Sequence, residues 1–184
     1  MAMRVFFGMG AIKSFLKPLM ITLLTAATLG SICFAGPAMK PTIQTIPDFE
    51  KMKSLAGEWE GKSNDGTSGK VSYTLVSDNS ALMERLAMGG ESEMITLYHP
   101  DGDRLMLTHY CSLHNQPRMR QTPHQEKKKI AFDFVDVTNL SAPDAGHMRK
   151  LIVTFEDQDH FTQEWTYGEK GKESTVLIRY ERKR

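Results

Sequence analysis

The stretch "LTHYCSLHNQPRM", residues 107–119, places two histidines, a cysteine, a tyrosine, an asparagine, a glutamine and an arginine within thirteen positions. Four chemistries are open to such a set. His109 and Cys111, two apart, could both reach one metal ion, with His114 or His147 as a third ligand. A cysteine beside a histidine could form a thiolate nucleophile, with Glu84 or Asn139 orienting the imidazole. The same residues could line a ligand pocket, or they could be hydrogen-bonded core groups at the end of a strand. The rest of the chain holds no G-x-S-x-G, no glycine-rich phosphate loop and no H-E-x-x-H, so no further catalytic signature supports the nucleophile.

Strand parity narrows the choice. In "RLMLTHYC" a period of two sets Leu105, Leu107, His109 and Cys111 on one face and Met106, Thr108 and Tyr110 on the other. If the leucines face a core, His109 and Cys111 face it too, while the "SLHN" turn carries His114, Asn115, Gln116 and Arg118 to one rim. In "FTQEWTY" the same period groups Phe161, Gln163, Trp165 and Tyr167.

The elements that would position these residues are short and alternate with turn residues. "DFEKMKSL" has helical spacing at Phe49, Met52 and Leu55, with Asp48 placed to cap it. After it the period is two: "AGEWEGKS", "KVSYTLVS", "ALMERLAM", "EMITLYH", "RLMLTHYC", "PRMRQT", "KIAFDFVDV", "RKLIVTFE", "FTQEWTY" and "ESTVLIRYE" read as ten strands. Tight turns such as "PDGD" join most of them, and only "TNLSAPDAG", residues 138–146, is long enough to act as a lid. Ten hairpin-linked strands either leave two edges or close on themselves. Closure removes the edge problem, so the expected fold is an all-β, ten-stranded antiparallel up-and-down barrel with a short N-terminal helix.

The N-terminus reads as an export signal. Arg4, Lys13 and Lys17 precede an uncharged, largely apolar run from Leu19 to Ala35, and Cys33 and Ala35 are the small residues of a cleavage site before Gly36. A retained anchor is the alternative, because the run of 17 residues approaches the roughly 20 that span a bilayer. The expected organisation is a signal peptide at 1–35, a linker at 36–47 and the barrel domain at 48–184. A periplasmic or secreted location follows, with no stable membrane span after cleavage.

Removal of 35 residues from a chain of 184 leaves 149, enough for one domain with its own core. It takes three of the 23 basic residues and none of the 22 acidic ones, so the remaining net charge is about −2. The only basic runs left are "EKKK" and "ERKR", which makes nucleic acid an unexpected partner. Cys33 leaves as well. Cys111 then has no internal disulfide partner, and burial is its common fate.

The segment "LAGEWEG" resembles the G-x-W opening of the calycin barrels, the lipocalin and fatty-acid-binding group. The resemblance makes Gly57 and Trp59 a structural signature and implies a basic residue of the last strand over the tryptophan, for which Arg179 of "LIRYERKR" is the candidate. "SALMERL", "MITLYHPDGDRLMLTHYCSLHNQPRM", "IAFDFVDVTNL" and "QEWTY" extend the likeness to a group of bacterial calycin-like proteins, which implies a fold and no particular activity. Nitrobindin-type haem barrels share the G-x-W start. They also carry a G-x-Y-P segment and a ligating His near the C-terminus, and here no His follows His160, so no cofactor is expected.

Calycin barrels enclose a cavity with apolar walls and a few polar groups. The expected function is therefore binding of a small, partly apolar molecule. Glu84, His109, Arg118 and Gln163 are the expected polar contacts, beside Cys111, with Tyr73, Phe132 and Trp165 as walls. The eight methionines outside the signal read as adaptable cavity or core lining. The alternatives are a hydrolase or isomerase using the His, Cys and Glu of this pocket, and a structural or interaction module without a ligand.

Overall fold

A computed structural model of the protein describes residues 46–123 and 126–184. The expected signal peptide and residues 36–45 of the expected linker lie outside the described residues. One helix, α1 (Pro47–Lys53), precedes ten strands: β1 (Gly57–Ser63), β2 (Ser68–Val76), β3 (Ala81–Met88), β4 (Met94–Asp101), β5 (Arg104–Tyr110), β6 (Gln116–Gln121), β7 (Lys129–Thr138), β8 (His147–Phe155), β9 (His160–Glu169) and β10 (Lys172–Arg182). Each strand pairs antiparallel with the next, and β1 pairs with β10 to close the barrel. The sheet has no free edge.

Alternation builds the interior. Along β5 the burial pattern buries Leu105, Leu107 and His109 and leaves Tyr110 exposed. β1 buries Trp59, Gly61 and Ser63. Gly61 must be a glycine, because a Cβ there would lie 2.5 Å from the Tyr180 ring on β10. That ring stacks on Phe161 at 4.6 Å, and Phe161 meets Trp59 edge-on at 4.7 Å. These aromatic contacts fill the lower half of the barrel.

Helix α1 covers that end. Its Phe49 and Met52 are buried, and Gln121 at the end of β6 donates to Asp48. Asp48 is not the cap: the helix starts one residue earlier, at Pro47, with Ile46 in the cap position and no side-chain cap bond. Proline suits the first helical position because its missing N–H would have had no partner there.

The basic residue over Trp59 is Arg182, not Arg179. Its guanidinium lies 4.0 Å from the indole centroid, and its Nη1 and Nη2 donate to the Ala56 and Ser54 carbonyls at 3.0 Å. Register explains the correction. Trp59 pairs with Arg182 and Lys62 with Arg179, so Arg179 shares the outer face with Lys62. Gly57 adopts φ +127°, a backbone that side chains disfavour, and a Cβ there would approach Arg182 Nη1 to 3.0 Å.

Two bulges break the period. One lies between Arg118 and Met119 against β7, the other between Met148 and Lys150 in β8. Counting back from Leu151 by twos would turn Met148 outward. The second bulge absorbs Arg149 and pairs Met148 with Tyr167, re-aiming Met148 to the inside.

Candidate ligand site at the open mouth

The register places four polar residues side by side on successive strands. Tyr73 pairs with Glu84, Glu84 with Thr96, and Thr96 with His109. All four are buried on the inner face. Gln163 and Trp165 meet this row from β9, and Tyr180 from β10.

The row is a hydrogen-bond network centred on Glu84. Oε2 of Glu84 accepts from Tyr73 OH at 2.7 Å, Tyr98 OH at 2.8 Å and Gln163 Nε2 at 2.7 Å. Oε1 accepts from Thr96 Oγ1 at 3.3 Å. Burial pushes the Glu84 carboxyl upward, and the hydrogen bonds from Tyr73, Tyr98, Gln163 and Thr96 pull it back. Gln163 is saturated: Nε2 also donates to Tyr73 OH at 2.9 Å, and Oε1 accepts from Trp165 Nε1 and Tyr180 OH, each at 3.1 Å.

His109 ends the row. Its Nδ1 lies 2.9 Å from Thr96 Oγ1, and its ring packs 4.9 Å from Trp165. Desolvation pushes the imidazole down to about 4, so it is neutral at physiological pH. Nε2 is buried and has no hydrogen-bond partner, as is true among the described residues of Asn115 Oδ1 and His147 Nε2, and of the three it is the one whose side chain lines the cavity at the mouth.

Above the network a cavity of about 400 Å³ opens between the β1–β2 and β3–β4 turns and residues of β9 and β10. His109 and Trp165 form part of its lining with Leu86, Met88, Met94, Met148 and Ile178. A volume of this size is within the range of small-molecule sites, and the wall is mostly apolar, with polar groups from His109, Ser63, Asp65, Thr67 and Glu91. A separate groove runs along the outside of β1, β2 and β10, where Lys62, Lys70 and Arg179 mix with Glu60, Glu156 and Glu181. Its mixed charge defines no preference of sign.

Of the residues expected to touch a ligand, His109 and Trp165 line this cavity. Tyr73, Glu84 and Gln163 lie beneath it, holding one another, and Phe132 packs deeper against Tyr98 at 5.8 Å. Arg118 stands on the outer face, hydrogen-bonded and ion-paired to Asp136, with its side chain 47% exposed. It cannot reach the interior, because β6 turns Pro117 and Met119 inward. Cys111 is half-buried at the end of β5 and packs against the core.

The nucleophile and metal arrangements are not assembled. His109 Nε2 makes no bond to Cys111, and Asn139 donates to the His114 carbonyl instead of orienting His109. His114 is exposed. Among the described residues no three of His, Cys, Asp and Glu could hold a metal ion. His147, the other third metal ligand weighed from the sequence, is buried at the start of β8, with Nδ1 2.9 Å from the Ala145 carbonyl.

Thr96, Tyr98, Tyr180, Leu86 and Ile178 were not singled out by sequence reasoning, whereas Met88, Met94 and Met148 of the wall are among the methionines read as cavity or core lining. Parity carried a signal for Thr96 and Tyr98, which alternate along "EMITLYH" in phase with Met94.

No family model matches the chain, and no curated protein does. Among solved structures the chain is similar to the crystal structure of Rv2717c from M. tuberculosis, with a TM-score of 0.51 and 14% sequence identity over 75% of this chain and 98% of that one. At that identity the likeness bears on the fold alone: a ten-stranded antiparallel barrel. Among the described residues no helix is long and apolar enough to cross a membrane.

Proposed function

We propose that the protein is an exported, calycin-like barrel that binds a small, partly apolar molecule at its open mouth. The observation that carries this reading is the apolar cavity of about 400 Å³ with the unpartnered Nε2 of His109 in its lining residue. Deep filling of the opposite half limits the ligand to the mouth. Export is supported by the basic start and the apolar run from Leu19 to Ala35. The calycin-like assignment is supported by "LAGEWEG", by the meander order and by the arginine over Trp59.

Native mass spectrometry of the full chain, purified from the exported fraction of its host, tests the reading. The expected spectrum carries a small organic adduct that survives gentle ionisation and is lost when Trp165 and Met148 are replaced by alanine. A spectrum without an adduct, together with no rise in melting temperature across an extract of apolar metabolites, overturns it.

A further inference from the structure

The polar group of such a ligand follows from where the protons lie. Three donors converge on one oxygen of Glu84, all at 2.7 to 2.8 Å. A carboxylate satisfies three donors on one oxygen far better than a neutral acid does. Glu84 is therefore the accepting end of the row. Thr96 has a single hydroxyl proton and directs it to Glu84 Oε1, which leaves its oxygen lone pair for His109 Nδ1. The imidazole proton is thus fixed on Nδ1. Nε2 is left as a bare lone pair, buried, without a protein partner, in a side chain that lines the cavity. The flanking Trp165 ring holds the imidazole in this orientation, and its own N–H is committed to Gln163.

We propose that the mouth cavity takes amphipathic molecules whose buried polar end is a hydroxyl donor of the phenol or alcohol class. The hydroxyl donates to His109 Nε2, and the apolar body lies against Leu86, Met88, Met94, Met148 and Ile178. This deepens the binding reading and rests on it. An ether or ester of the same shape would face the Nε2 lone pair with another lone pair, leaving two buried acceptors unmatched. Methionine walls adapt to bodies of different outline, so selectivity resides in the donor and not in the shape of the tail.

The test compares para-hexylphenol with its methyl ether, para-hexylanisole, by titration calorimetry on the full chain. The phenol is expected to bind at least tenfold tighter. In His109→Phe the ratio is expected to fall to about one. Thr96→Val, which removes the acceptor that fixes the tautomer, is expected to shrink it as well. Nitrogen NMR of the unmodified protein gives a readout that needs no variant: His109 is expected to show a protonated Nδ1 and a bare Nε2. Equal affinity for the two probes overturns the donor inference and leaves the binding reading standing, and binding of neither also overturns the donor inference, while the binding reading stands or falls on the adduct spectrum. A protonated Nε2, the state that a proton on Glu84 would impose through Thr96, also overturns the inference.

Discussion

At the scale of the residue, His109 carries the most informative free energy in the barrel. Its imidazole is pushed down to about 4 by burial, against about 6.5 in an unfolded chain. Between those values the unfolded state binds the proton and the folded state does not, so stability is fully present above pH 6.5 and is lost as the pH falls toward 4. The loss attributable to His109 at pH 4 is on the order of 3 kcal/mol. Glu84 acts with the opposite sign: burial raises its carboxyl, so its contribution is fullest at low pH and declines as the pH rises through its folded value. Comparing urea denaturation of the parent with His109→Phe separates the two. The difference in stability between the proteins is expected to shift by this amount between pH 7 and pH 4, in favour of the variant at low pH, and a flat difference would contradict a neutral, buried His109. The inward placement of His109 was legible in "RLMLTHYC" from its period alone. The bonds that define its chemistry were not, because Thr96 and Glu84 lie on other strands and only the pairing register sets them in line.

At the scale of the element, the seam between β1 and β10 shows how one residue of register decides a role. Sequence likeness asked for a basic residue over Trp59, and "LIRYERKR" offers four. Ile178 and Tyr180 are buried on β10, so the inward series continues to 182 and excludes 179. That inference was available in principle from the alternation of the last strand, yet it needed the strand to run to Arg182, two residues beyond its last apolar position. Arg182 stacks on Trp59 and ties the Ser54 and Ala56 carbonyls to the barrel wall. Replacing Arg182 with alanine is expected to lower stability by about 2 kcal/mol, from the lost cation–π contact and carbonyl bonds. Arg179→Ala is expected to stay within roughly 0.5 kcal/mol, as for other exposed positions. Thermal unfolding of the pair measures both, and equal losses would remove the distinction drawn from the register. The β8 bulge was less accessible: nothing in "HMRKLIVTF" marks Arg149 as the extra residue, and strict alternation would have kept Met148 out of the cavity.

At the scale of the molecule, the barrel has two unlike ends. Trp59, Phe161, Tyr180 and α1 fill one, and the methionine-walled cavity opens the other, with the Glu84 network as the floor between them. The strand count and the antiparallel order followed from turn spacing, but which end is open did not. That depends on how many large side chains meet at one level after closure, a property of the register and not of any single strand. The two ends each hold one of the chain's two tryptophans. Trp59 is 2% exposed beneath Arg182, while Trp165 lines the cavity beside His109. A ligand in the mouth changes the surroundings of Trp165 and leaves Trp59 untouched. With para-hexylphenol, the emission change of the parent protein is expected to persist in Trp59→Phe and to vanish in Trp165→Phe, even where calorimetry still detects binding. Loss of the signal in Trp59→Phe alone would place the ligand at the helix-covered end, against the packing of the aromatic floor.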